Sequence, residues 1–336
     1  MKKSRIIIAV LCLVLILTAC GQEYATSYSI GTGPHQVFAV AGDELLAADT
    51  MHVRCYDLMG SAVVEEAVNM GLPAVSSNEN SAVAYDIGGT ECVFSDGRRL
   101  TAGETIISAF LGESGSFALC TEEDGYRGSV TVFDTELNEC FKWYCADASV
   151  TRAALTADGE ALAVLCTGDD GSAVHIFSVT GGTELGLCDV GTTYISDIEW
   201  LGDTLCAISE NGLFFMNGRG QIGAEYSFGK ETLGSYVLCD DCIVCEVCEF
   251  LSGGAGSIVA ISDKGEERGR AETDAMVSCF DSLEGEVLAI CGNKIIVFDK
   301  NMKIKKEFNA SGAEKAFLRQ LGDVLICKGA QTESLR

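Results

Sequence analysis

The chain has 336 residues, with 49 Asp and Glu against 23 Lys and Arg, a formal net charge of −26, 38 Gly, 2 Pro and 48% hydrophobic residues. The apolar share matches the roughly 45 to 50% of folded domains and the length exceeds one ordinary domain, so two domains or one large repeated architecture is expected; collagen, mucin and coiled-coil architectures are excluded. An acidic excess of this size also argues against nucleic acid as a partner, because phosphate binding needs a clustered positive surface.

At the N-terminus Met1-Lys2-Lys3-Ser4-Arg5 precedes an unbroken apolar run of 12 residues, Ile6 to Leu17. That length fits the roughly 7 to 15 residues of a secretory h-region and falls short of the roughly 20 needed to span a bilayer as a helix. The next residues, Leu17-Thr18-Ala19-Cys20, resemble the bacterial lipobox. The resemblance implies that residues 1–19 are a lipoprotein signal peptide, that Cys20 is the lipid attachment site, and that the mature protein is extracytoplasmic and anchored to the membrane through that cysteine. More than one acyl chain on a single residue anchors stably where one chain would be marginal. Residues 20–30 then form a lipid-anchored tether and a closing strand, and residues 31–336 the folded domain. Loss of Lys2, Lys3 and Arg5 takes the formal charge from −26 to −29, a surface that favours basic partners or cations.

From residue 52 onward one unit recurs: an apolar strand ending in an aromatic residue plus Asp, or a near equivalent, followed by a turn with Gly or Asn. Seven copies occur, marked by Tyr56, Phe94, Phe133, Phe177, Met216, Ile261 and Phe298, at spacings of 38, 39, 44, 39, 45 and 37 residues. Upstream of several copies lies a second unit, Ala41-Gly42-Asp43-Glu44-Leu45, Leu201-Gly202-Asp203-Thr204-Leu205 and Leu321-Gly322-Asp323-Val324-Leu325, with Ala157-Asp158-Gly159-Glu160-Ala161 as a relative. Gly beside Asp between alternating apolar residues is a hairpin signal. Each module therefore reads as four short antiparallel strands: one before the Gly-Asp turn, one after it, the aromatic-Asp strand and a more polar fourth.

Four such strands every 37 to 45 residues predict an all-β fold, a β-propeller of four-stranded antiparallel blades. Residues 317–327 match the first two strands of a further blade, which the strand in residues 23–30 is expected to complete. That closure by the N-terminal strand pairing with the C-terminal blade leaves no open edge and gives eight blades, with seven as the alternative. On these residues the chain resembles the WD-repeat, YVTN and quinoprotein-like propellers, and in layout bacterial lipoproteins that carry an eight-bladed propeller. Residues 134–143, ending in Trp143, resemble the tryptophan-docking segment of quinoprotein blades; the other six units lack that Trp, and no cofactor is expected.

Fifteen cysteines follow Cys20. Cys239, Cys242, Cys245 and Cys248 have a spacing that invites a metal or cluster. Aligned on the repeat, however, Asp240-Asp241 is a hairpin turn and residues 242–248 form a strand, which points Cys242 and Cys248 to one face and Cys245 to the other. Buried thiols, with one or two disulfides, are expected, and no metal site. Cys120, Cys166, Cys291 and Cys327 recur near the ends of second strands, as packing residues do.

No Ser-His-Asp order, phosphate-binding loop or His-Glu-x-x-His motif occurs, and His35, His52 and His175 have no partner motif. Propellers bind ligands at the central channel, where charges on inner strands, Arg152, Asp197, Glu199 and Arg319, are the candidate ligand-binding residues. The sequence thus predicts a non-catalytic binding or scaffold protein at the cell envelope, engaging a protein or glycan; the alternative is a channel enzyme, a lyase, hydrolase or quinone-dependent dehydrogenase. A cluster of strongly shifted titrating groups in the channel would favour the enzyme.

Overall fold

The computed structural model describes residues 27–249 and 254–336. The predicted signal peptide, Cys20 and most of the tether lie outside the described residues. Thirty-two strands form eight four-stranded antiparallel sheets, and no α-helix occurs among the described residues. Seven sheets use four consecutive strands. They are blade 1 (residues 37–67), blade 2 (73–101), blade 3 (106–145), blade 4 (149–189), blade 5 (195–227), blade 6 (232–273) and blade 7 (277–309). Blade 8 takes its three inner strands from residues 315–335 and its outer strand from Tyr28–Ser29, which pairs with Gln331–Leu335. The expected closure by the N-terminal strand is what the topology contains.

The recurring motif has a local cause in the turn it precedes. In blades 1, 3 and 7 the Asp at the end of the third strand or just after it, Asp57, Asp134 and Asp299, accepts two backbone N–H bonds on Oδ1 at 2.8–3.0 Å. Asn217 and Ser262 do the same in blades 5 and 6. These side chains satisfy donors that the reversal strips from the ladder, which is why short polar residues recur there.

Blades associate through eight apolar clusters, one at each junction around the ring. The alternation that permits this is plain in Ala161–Gly168 of blade 4. Leu162, Val164 and Cys166 pack toward blade 3, and Ala163 and Leu165 toward blade 5. A strand with both faces buried reads as a continuous apolar run. Because neither face can be covered within one blade, the modules must stack, and stacking with a right-handed twist closes the ring.

The cysteines belong to this packing. None of the fifteen described cysteines is in a disulfide, and all but Cys140 are buried. Cys242 packs toward blade 7 and Cys245 toward blade 5, on opposite faces of Cys242–Cys248 as the strand period requires. Burial pushes the thiols of Cys120 and Cys327 up to about 12 and that of Cys291 to about 11, so they stay neutral and behave as small hydrophobes. Trp143, the docking-segment residue, sets its ring 4.9 Å from His175 and 5.0 Å from Phe177. It thereby fastens the outer strand of blade 3 to the third strand of blade 4.

Candidate functional site

The inner strands of all eight blades converge on a cavity of about 620 Å³ that opens on the face carrying the first hairpin turn of every blade. Its chemistry begins with an irregularity in those strands. In blades 3 to 7 the inner strand bulges near its start, at residues 107, 151, 196, 234 and 278. A bulge leaves one residue unpaired and re-aims those that follow. Thr151, Ser196 and Ser278 use the freed position to donate a hydroxyl to the carbonyls of Leu165, Ile208 and Ile290 at 3.3, 3.0 and 3.4 Å. Blade 6 has Gly234 there instead, because a Cβ would lie 2.6 Å from Oε2 of the buried Glu246. Ser235 bonds that oxygen at 2.9 Å, and Val277 N donates to Oε1 at 2.6 Å.

Arg152 and Asp197 directly follow the bulges of blades 4 and 5 and meet across the junction, Nε to Oδ2 at 3.6 Å. Arg152 Nη1 also donates to Thr151 O at 3.0 Å. Glu199, two residues on, receives a 3.5 Å bond from Tyr236 Oη of blade 6. On the far wall Asp281 Oδ2 accepts from Leu318 N at 2.6 Å, joining blades 7 and 8, and Ser282 Oγ donates to Leu238 O.

Glu199 and Asp281 are partly exposed to the cavity but sit deep in the ring, surrounded by protein on most sides. Burial first, then the neighbouring Asp197 charge, pushes the Glu199 carboxyl up to about 8 against the smaller opposing pull of Tyr236 and Arg152. Burial likewise carries Asp281 to about 7, despite the N–H groups of Leu318 and Ser282. The Tyr236 hydroxyl is pushed well up by burial and by the carboxylates of Glu199 and Asp197, which keeps it a donor. Near neutral pH the inner part of the cavity therefore holds one ion pair and two carboxyls that carry their protons part of the time, with Glu79 and Glu113 in the turns at its mouth.

Of the residues singled out from sequence, Arg152, Asp197 and Glu199 come together here. Arg319 lies apart, buried in the first turn of blade 8, with Nε on Asp323 Oδ1 at 2.9 Å and Nη2 on Ser334 Oγ at 2.8 Å. Asp281 and Tyr236 were not singled out by any motif. Asp281 was within reach, because counted back from the residue flanking each hairpin, Leu201 and Leu283, it holds the position of Glu199.

Around the opening every first turn carries at least one acid: Asp43, Glu79, Glu113, Asp158, Asp203, Asp240 with Asp241, Glu284, and Asp323. Arg268 neutralises Asp241 and Arg319 neutralises Asp323.

Solved structures share this architecture at low identity. The computationally designed Ika8 protein aligns with a TM-score of 0.70 at 12% identity, over 91% of this chain and 98% of its own. The C-terminal WD40 domain of Sif2 gives 0.65 at 11%, over 92% and 96%, and BamB from Moraxella catarrhalis 0.59 at 13%, over 92% and 97%. These likenesses support the WD40-like propeller fold. No curated protein matches the sequence. Residues 20–334 match the model described as a family of unknown function, DUF5711, and the chain belongs to that family.

Proposed function

We propose that the protein is a lipid-anchored propeller, held outside the cytoplasmic membrane through Cys20, that binds a protein or glycan partner at its channel mouth without transforming it. The observation that carries the binding role is the cavity itself, assembled from the inner strands of eight blades with convergent polar groups set in an otherwise rigid ring. Among the described residues no histidine lines it, and no serine or cysteine on its wall is paired with a base. The anchor rests on Leu17-Thr18-Ala19-Cys20 after the apolar run.

Cross-linking in the native host tests this, with the full chain compared against Asp197→Asn and Cys20→Ala. Recovery of one envelope component that Asp197→Asn loses, together with release of Cys20→Ala from the membrane fraction, is the expected result. A wild-type chain that is not membrane-bound, or that yields the same products as Asp197→Asn, overturns it.

A second role is favoured by Glu199 and Asp281. Carboxyls protonated near neutrality are suited to general acid catalysis, as in a hydrolase or lyase. Such an enzyme would lose rate as pH rises through about 7 to 8.

A further inference from the structure

The cavity differs from a neutral ligand pocket in the arrangement of its charge. Glu79, Glu113, Asp197, Glu199 and Asp281 line it against one cation, Arg152, which is engaged by Asp197 and Thr151 O. The second carboxylate oxygen of Glu199 has no hydrogen-bond partner among the described residues. These acids are spread over blades 2, 3, 5 and 7. Among the described residues no three His, Cys, Asp or Glu side chains stand close enough to hold a metal ion. A compact cation would reach only a fraction of the negative groups, whereas an extended ligand with several positive charges would reach most of them. Tyr85, Phe110 and Trp200 add apolar and aromatic wall, suited to the methylene stems and ammonium heads of such a ligand. Asp43, Asp158, Asp203 and Glu284 in the surrounding turns extend the same sign of potential outward and concentrate cations at the entrance.

We propose that the channel mouth binds a flexible organic polycation, a chain bearing several ammonium groups, as found in a lysine-rich peptide segment or an oligoamine. The inference rests on the binding role above and names its ligand class. Glu199 is faced by Asp197 on its own strand, Cys206 on the paired strand, Arg152 from blade 4 and Tyr236 from blade 6. Asp281 is faced by Cys279 on its own strand and by the N–H groups of Ser282 and Leu318. An arriving ammonium group stabilises the ionised form of each carboxyl and expels its proton to solvent. Affinity must then rise with pH as the unliganded carboxyls titrate, through about 7 and about 8, and binding near pH 7.5 must release protons.

Isothermal titration of the detergent-solubilised full chain with tetralysine and with spermine, in buffers of different ionisation heat, tests this. Magnesium and tetraglutamate are the comparison probes. The expected result is binding of tetralysine, spermine or both, weakened by salt, with affinity about tenfold higher at pH 9 than at pH 6, and a positive count of released protons. The preferred probe separates a peptide from an oligoamine source. Glu199→Gln and Asp281→Asn, each nearly isosteric and checked by melting temperature, should each weaken binding at pH 8 several-fold and reduce proton release. Affinity that is flat with pH, equal binding of magnesium, or a Glu199→Gln/Asp281→Asn double variant that folds and binds as the wild type overturns the proposal. A host partner that is acidic or uncharged, yet lost in Asp197→Asn, would overturn the polycation while leaving the binding role intact.

Discussion

Blade 4 is built from strands of seven, eight, eight and seven residues, whereas blade 8 has three strands of four, five and five residues and an outer strand of two. The long blade holds its place by apolar interdigitation, with alternate residues of its second strand committed to the clusters on either side. The short blade buries less and relies on directed contacts. Arg319, Asp323 and Ser334 form a polar knot inside it, both charged side chains almost wholly excluded from water. Its outer strand is tied on by Ile30 N to Ala330 O at 2.9 Å and by Gly31 N to the Tyr56 hydroxyl of blade 1 at 2.8 Å. A ring that must join two distant stretches of chain gains from contacts with strict geometry at the seam, since greasy surface alone would tolerate slipped register.

The comparison breaks first on the polar knot. Arg319→Ala leaves the Asp323 charge buried and unpaired and should cost about 3 to 5 kcal/mol in urea denaturation. Leu165→Ala in blade 4 opens a cavity between blades 4 and 5 and should cost about 3 kcal/mol. The diagnostic arm is Arg319→Met with Asp323→Leu. Arg319 Nη1 already lacks a partner, so an apolar pair should recover most of the loss, as buried ion pairs are often replaceable in stability. Should Arg319→Ala melt like the wild type, the knot does not hold the seam.

How far the sequence carried depended on which feature was periodic. The third strands and their Asp caps repeat because every blade must reverse at the same place, so seven copies and a composite eighth can be counted along the chain. Packing of Cys242 and Cys245 to opposite sides followed from strand period alone. Side chains in the channel were harder, because a bulge shifts every later residue by one and leaves no mark in hydrophobic alternation. Arg152 and Asp197 follow bulges and face the cavity, while blade 8 has no bulge in Lys315–Leu318 and its first turn folds Arg319 back on Asp323. Tyr236 escaped because it is uncharged and reads as one more aromatic in an apolar strand, although it too follows a bulge, the one that Gly234 permits.

The channel carboxyls should also make the ring as a whole respond to pH. Blade 8 leans on blade 7 through Asp281, whose folded-state carboxyl titrates at about 7, and Glu199 on the opposite wall titrates at about 8. Both values lie above those of the unfolded chain, so their contribution to stability is complete below about pH 4 and is lost as pH rises through 7 and 8. Linkage with these values would give about 6 kcal/mol between pH 5 and 9 for carboxyls sealed from water; because both side chains are partly exposed, the wild type should lose a fraction of that, on the order of 2 kcal/mol, beyond a Glu199→Gln/Asp281→Asn variant. The variant is the necessary reference, because an acidic chain repels itself more at high pH wherever its charges lie. Leu165→Ala should lower the whole curve without altering its slope. Parallel curves for wild type and double variant would mean that water reaches these carboxyls freely.

The smallest effect tests the seam at its outer edge. The Tyr28 ring lies 6.1 Å from that of Tyr56, and its atoms come within 2.2 Å of where a Cβ on Gly60 would sit. Gly60, at φ +78°, turns the third strand of blade 1 back while leaving room for a ring from blade 8. Tyr28→Ala removes an aromatic pair that is only half-buried and should cost about 1 kcal/mol. Gly60→Ala should cost about as much again from the left-handed backbone and the displaced ring. Because the Tyr28 Cβ itself lies 2.3 Å from where a Gly60 Cβ would sit and alanine would keep it, the causes are separated by Tyr28→Gly/Gly60→Ala, measured against Tyr28→Gly and Gly60→Ala alone. If Gly60 is small in order to seat Tyr28, the double variant will lose less than the sum of the two single losses, since the second change no longer displaces a ring. Full additivity would reduce Gly60 to a turn residue whose size plays no part in seating Tyr28.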